Sequence, residues 1–293
     1  MTDSFIRYLE FERRYSKHTI SSYTIDLQQF IDFYSANYNT AKIEDADYHS
    51  IRSWIISLME SGLEPRSVNR KIACLKSFYK FLLKQGKIQK NPTLRIKAPK
   101  VKKRLPVFVE ELSMDTLLDQ TEFKDNFEGT RDRLIIELLY GTGIRLSELI
   151  HIREVDINFY DQTLKVKGKG NKERIIPIHK NLEQIIKAYN IHKSNTLVNI
   201  QSEYLLVSDK GEDTYPVMIQ RIVKKYIGMV STVEKRSPHV MRHSFATHLL
   251  NKGADLNAIK ELLGHSNLAA TQVYTHNSLE KLKSIFKQAH PKA

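Results

Sequence analysis

The stretch Ser237-Pro-His-Val-Met-Arg-His-Ser-Phe-Ala-Thr-His-Leu-Leu-Asn-Lys-Gly253 carries helix signals at both ends. Ser237 is a preferred N-cap. Pro238 suits the first helical position, where an N–H would lack a partner anyway, and Gly253 supplies a stop. Within this helix His239 and Arg242 stand three residues apart, so they share a face. Just downstream, Asp255 caps a second expected helix, which Gly264 closes, leaving His265 past its end. Tyr274 follows nine residues later. Ser278 then caps a final segment to about Gln288, with Leu279, Leu282, Ile285 and Phe286 on one face and Lys281, Lys287 and Gln288 opposite.

Upstream, helices are predicted near 110–121 and 131–140. Gly141-Thr-Gly143 is expected as a turn, and Arg145 opens another helix that holds Glu148. Thr163 to Lys167 alternates apolar and basic residues with period two, Gly168-Lys-Gly-Asn171 is a turn, and Lys172 to Ile178 reads as a second strand. That pattern is a β-hairpin with a basic tip at Lys169.

The first ninety residues read as helical. Ile20, Tyr23, Leu27, Phe30, Ile31 and Tyr34 recur at spacings of three and four. A second helix runs from about Asp47 to Glu60 with Ile51, Ile55 and Leu58 inward. A third starts after Ser67, its expected cap, and buries Val68, Ile72, Leu75, Phe78, Tyr79 and Leu82 before Gly86. Arg70, Lys71, Lys76, Lys80 and Lys84 alternate with those positions and form a cationic face. Asn91-Pro92 breaks the pattern, and residues 93–104 read as an extended basic linker. The expected fold is therefore mainly α: a helical bundle over 1–92, the linker, and a mixed α+β unit over 105–293 with a small hairpin sheet.

Composition narrows the function. With 41% hydrophobic and 27% charged residues, 293 residues are enough to bury real cores. No apolar run approaches the ~20 residues that span a bilayer, and Met1-Thr-Asp-Ser4 lacks signal-peptide character. The lone Cys74 forbids an internal disulfide and suits a reducing cytoplasm. Net charge is +13, and from Pro65 to Val109 there are fourteen basic residues and no acidic one. A field so concentrated attracts a polyanion, DNA or RNA, and releases its counterions.

Two familiar chemistries do not fit. A phosphate-binding P-loop needs two glycines separated by four residues, then Lys and Ser or Thr; neither Gly141-Thr-Gly-Ile-Arg nor Gly168-Lys-Gly-Asn-Lys meets that. His239 and His243 have the i,i+4 spacing of some zinc ligands, but the expected glutamate is missing and no cysteine is near, so no metal and no cofactor are expected.

Taken in order, Gly141-Thr-Gly-Ile-Arg145-Leu-Ser-Glu148, the hairpin lysine Lys169, His239-Val-Met-Arg242-His, Leu262-Leu-Gly-His265 and Tyr274-Thr-His resemble the tyrosine recombinase (phage integrase) family across most of 140–277. Ser16-Lys-His-Thr-Ile-Ser-Ser-Tyr23 with Asp26-Leu27 and Phe30 resembles the family's N-terminal SAM-like core-binding domain. The length and the closing His290-Pro-Lys-Ala293 are similar to its Xer subfamily, which resolves chromosome dimers. The resemblance implies Arg145, Lys169, His239, Arg242, His265 and Tyr274 as catalytic residues. The implied partners are a double-stranded DNA recombination site, a homo- or hetero-tetramer with a related recombinase, and a septum-associated DNA translocase. No membrane is implied, and the place of action is the bacterial cytoplasm, at the nucleoid.

The chemistry suits those residue types. Arginine offers a planar, permanently charged fork for phosphate oxygens. Arg145 and Arg242 can hold a scissile phosphate, with His265 adding a hydrogen bond. Tyr274 is the expected nucleophile, with His239 as the candidate base for its proton. The resemblance assigns Lys169 as acid for the departing 5′-oxygen. Other readings stay open at this level: an integrase of a mobile element, a type IB topoisomerase-like enzyme, and a DNA-binding module without catalysis.

Overall fold

The computed structural model describes residues 1–38, 42–101, 107–168 and 172–264, together with Lys283, Ser284, Phe286, Gln288 and Ala289. The chain forms two compact units, Met1–Arg104 and Leu105–Ala293. Among the described residues no helix is long and apolar enough to cross a membrane.

The first unit is helical throughout. Helix α1 (Thr2–Arg7) runs into a π-turn at Tyr8–Glu12, and α2 (Lys17–Tyr38), α3 (Tyr48–Glu60) and α4 (Pro65–Lys84) follow. The periodicity of 16–34 did not extend to α1, yet Phe5 and Leu9 are fully buried, and Phe5 meets Phe78 edge-on at 5.3 Å. Asp47 caps α3 through a reciprocal pair with Ser50. Helix α4 begins at Pro65, not after Ser67: proline occupies the first helical position, where its missing N–H costs nothing, and Ser67 lies inside the first turn. All six residues expected inward on α4 are buried.

The cationic face of α4 divides. Arg66, Arg70, Lys80 and Lys84 are exposed and recur on one solvent stripe. Lys71 is not on it. It is buried, and its Nζ donates to Asp26 Oδ1 at 2.8 Å while Arg70 pairs with Oδ2 of the same fully buried carboxylate. A charge-bearing core of this kind is retained only where partners replace water. Lys76 is exposed but reaches the Ile96 carbonyl at 3.1 Å. Residues 93–99 pack on this unit: Ile96 is buried in its core, and Asn69 donates to the Pro99 carbonyl.

In the second unit α5 (Glu111–Asp115) leads into a π-turn at Thr116–Gln120. Helix α6 (Phe127–Thr142) is buried on every side from Leu134 to Thr142 and forms the centre. Gly141 and Thr142 belong to this helix, and the turn is confined to Gly143, a left-handed C-cap at φ 61°. A short α7 (Leu146–Leu149) precedes three antiparallel strands, β1 (Ile157–Asn158), β2 (Thr163–Lys167) and β3 (Glu173–Pro177), in the order β1-β2-β3. The expected hairpin is present with Lys167 opposite Glu173, and β1 adds an edge that the sequence did not announce. Helices α8 (Lys180–Thr196), α9 (Pro216–Val230), α10 (Pro238–Asn251) and α11 (Leu256–Leu263) complete the unit. The described tail residues are helical, and Phe286 and Ala289 are buried in the second unit's own apolar cluster.

Candidate active site

Three chain breaks, each forced by a terminating residue, bring the cationic side chains together. Gly143 ends α6, so Arg145 can cap α7 two residues later. Gly264, at φ 65°, ends α11 beneath Asp255, whose side chain accepts from the N–H groups of Asn257 and Ala258 at the other end. The β2–β3 hairpin closes with Gly168 N–H donating to the Lys172 carbonyl at 2.7 Å. A Cβ built on Gly143 would lie 2.4 Å from Phe245 Cδ1 and 3.0 Å from Leu263 Cδ2. That contact explains why this stop must be glycine on steric as well as torsional grounds.

Arg145 and Arg242 meet here. The Arg145 guanidinium donates through Nη1 to Glu148 Oε1 at 2.8 Å and through Nη2 to the Gly264 carbonyl at 3.0 Å; its side chain stays 39% exposed. Arg242, from the buried face of α10, donates to the carbonyls of Gly143 and Leu263, the C-terminal ends of α6 and α11. Burial lowers the Arg242 pKa to about 10, with the neighbouring charges of Arg145 and Arg174 acting in the same direction. The group is still charged at neutral pH.

Glu148 is the hub. Its side chain is 2% exposed and accepts four hydrogen bonds: from the Arg145 backbone N–H at 2.7 Å, from Arg145 Nη1, and from Arg174 Nη1 and Nη2 at 2.8 Å each. Burial pushes its carboxyl up, but the bidentate bonds and charge of Arg174, followed by the Arg145 donors, reverse that and hold it at about 2. Two guanidiniums thus share one carboxylate, and Arg242, which donates to backbone carbonyls instead, adds a third positive charge nearby.

His239 lies exposed in the first turn of α10, one turn from Arg242. The other two histidines do not join it at a metal site. His248 is buried, and its Nδ1 is 2.8 Å from Tyr140 Oη, while burial lowers the His243 pKa, with His239 contributing. Among the described residues no cluster of metal-binding side chains occurs. Lys169, His265 and Tyr274 lie outside the described residues. Their neighbours in sequence do not: a Cβ on Gly168 would be 3.5 Å from Glu148 Oε1, and Gly264 contributes its carbonyl to Arg145.

Sequence reasoning missed Arg174. The signal was there in the strand's alternation: Arg174, Ile176 and Ile178 point inward together, at 6%, 0% and 5% exposure. A charged residue on the inward face of a strand requires a buried partner.

The Phage integrase family model matches residues 108–281, and the N-terminal SAM-like domain of phage integrases matches 2–86. The tyrosine recombinase XerC of Staphylococcus carnosus is 39% identical, covering 99% of this chain and 97% of that protein. The XerC of Chlorobaculum tepidum is 35% identical, covering 99% and 94%. The fold is similar to the XerH site-specific recombinase bound to a palindromic difH substrate in a post-cleavage complex (TM-score 0.72, 22% identity, covering 97% of this chain and 83% of that one). It is also similar to the Tn1549 transposon integrase in complex with circular intermediate DNA (TM-score 0.70, 21% identity, covering 96% and 98%).

Proposed function

The chain belongs to the phage integrase family of tyrosine recombinases, and on that footing we propose that it breaks and rejoins DNA at Tyr274 to resolve chromosome dimers. The observation that supports this most is the convergence of Arg145 and Arg242 at the closed ends of α6 and α11, beside the base of the hairpin that carries Lys169.

The steps follow from the residues. Arg145 and Arg242 hold the non-bridging oxygens of the scissile phosphate, and His265 adds a donor. Tyr274 Oη attacks phosphorus, its proton passing to His239. The bond from phosphorus to the 5′-oxygen breaks, and Lys169 protonates that oxygen. The product is a 3′-phosphotyrosine and a free 5′-hydroxyl. Because the phosphodiester is exchanged for another phosphoester, the reverse attack by a 5′-hydroxyl of the partner duplex reseals the strand without external energy. Positive side chains supply the charge stabilisation, and each such preorganised donor is worth about 10²–10³ in rate.

Residues 1–92 act as the DNA-gripping domain, 93–104 as the connector and 105–293 as the catalytic domain. The exposed cations Arg66, Lys80 and Lys84 supply phosphate contacts. The working species is a homo- or hetero-tetramer with a related recombinase on two recombination sites, acting at the nucleoid and regulated by a septum-associated DNA translocase. The tail from Ser278 links neighbouring protomers by exchanging the seat that Phe286 and Ala289 occupy in the single chain.

The test uses a nicked suicide substrate bearing a site recovered from chromosomal binding. A covalent adduct mapped to Tyr274, and Holliday junctions formed from two labelled sites, are expected. Adduct without junctions would mark a DNA-relaxing enzyme, and binding without adduct would refute catalysis.

A further inference from the structure

Arg174 does not face the position a phosphate would take. It is 6% exposed, and its three hydrogen bonds all go to groups inside the protein. Two donors go in parallel to Glu148, and Nε reaches the Leu262 carbonyl at 2.8 Å. Three separate segments therefore meet on one side chain: strand β3, the helix that Arg145 caps, and the end of α11. The hairpin itself is short, and Arg174 stands opposite Val166, two residues before Gly168. Gly168 in turn packs on the carboxylate–guanidinium pair, since a Cβ there would lie 3.5 Å from Glu148 Oε1 and 3.8 Å from Arg174 Nη1. A Cβ on Gly264 would meet the same guanidinium at 3.2 Å.

Beyond Thr163 and Leu164, which β1 pairs, the hairpin is two-stranded and has little intrinsic stiffness. Its tip can hold a defined position relative to Arg145 only if something ties its base to α7. Among the described residues the Arg174–Glu148 fork is the polar tie between them. We propose that Arg174 is a positioning residue: it fixes the hairpin in register with Arg145, so that Lys169 meets the leaving oxygen of the phosphate that Arg145 holds. This rests on the recombinase reading above. Lysine cannot replace it, because a single ammonium cannot span two carboxylate oxygens and a carbonyl in one plane.

The consequence is specific to one half of the reaction. Misplacing the acid slows departure of the 5′-oxygen but leaves the grip on the phosphate untouched. A sulfur in that bridging position leaves as a thiolate, which needs no acid, since a thiol ionises near 8.5. The experiment compares the wild type, Arg174→Lys, Arg174→Gln and the control Arg145→Lys. Each is tested on a nicked duplex with ordinary 5′-oxygen and on one with 5′-bridging sulfur at the scissile phosphate. Gel shifts and circular dichroism are run on the same preparations.

Arg174→Lys should bind DNA as the wild type does, cleave the oxygen substrate about 10²-fold more slowly, and recover on the sulfur substrate. Arg145→Lys should stay slow on both. If Arg174→Gln does not fold, Arg174→Lys carries the test alone. Wild-type rates for Arg174→Lys on the oxygen substrate, or an equal loss on both substrates, would overturn the assignment. If the wild type forms no adduct on either substrate, the recombinase reading falls and this inference with it; adduct from the wild type keeps the two questions apart.

Discussion

Replacing Glu148 with Gln removes one charge from the point where two arginines are held. The carboxylate accepts four hydrogen bonds, whereas a Gln amide offers one oxygen and turns its NH2 toward guanidinium donors. A carboxyl held at about 2, against 4.5 ordinarily, contributes about 3 kcal/mol at pH 7, undiminished by solvent because the side chain is 2% exposed. The direction with pH follows from the depressed pKa. The contribution is complete above about pH 4.5 and is lost as the pH falls toward 2. Glu148→Gln should therefore cost about 3 kcal/mol at pH 7 and clearly less at pH 3.

The assay has an internal control. Trp54 is the chain's single tryptophan and lies in the first unit, so its fluorescence follows that unit, whereas far-ultraviolet circular dichroism follows both. Urea titrations should show the Trp54 transition fixed and the remaining dichroism transition moved. A penalty below about 1 kcal/mol at pH 7, or one that does not shrink at pH 3, would refute the role of Glu148 as a charged hub.

Lys71→Gln should destabilise the first unit by about 3 kcal/mol, seen in Trp54 fluorescence, because Asp26 loses one of its two cations. Its DNA-binding salt slope should not change. Arg66→Gln with Lys80→Gln should leave stability alone and flatten the log–log salt dependence of binding, by about 0.9 for each phosphate no longer neutralised. Gly143→Ala should cost about 2–4 kcal/mol, from a left-handed torsion plus overpacking against Phe245, measured by thermal melting. Tyr274→Phe should abolish covalent adduct on denaturing gels while gel shifts stay as in the wild type.

Helix periodicity made the first unit legible, because α4 alternates deeply buried and exposed positions over twenty residues. Lys71 escaped that reading: a lysine beside a cationic stripe looks solvated until Asp26, forty-five residues away, is seen beneath it. Local terminators gave α10 and α11 their ends: Pro238 opens α10 after Ser237, whose side chain makes no capping bond, while Asp255 and Gly264 cap α11. α6 was underestimated at both ends. A helix buried on all sides has no polar face to reveal its period, and Gly141 and Thr142 looked like a turn. The arginine pair was readable as motif, but the network under it was not, because Arg174, Glu148 and the Leu262 carbonyl meet only through tertiary structure.

That network accounts for how the protein keeps positive charge available. An arginine paired with a carboxylate is stable but neutralised, and it holds a phosphate weakly. Arg174 accepts that fate, facing Glu148 squarely inside the protein. Arg242 does not: its partners are the carbonyls at the ends of α6 and α11, and Arg145 adds the Gly264 carbonyl to its share of Glu148. Helix C-termini carry about half a negative charge spread over several oxygens. They orient a guanidinium without cancelling it; burial and the charges of Arg145 and Arg174 lower the Arg242 pKa to about 10, and the charge of Glu148 opposes them. The left-handed glycines 143 and 264 are what turn those carbonyl ends toward the arginines. Helix termination, usually a matter of stability, is here the means by which Arg145 and Arg242 are held while keeping their charge.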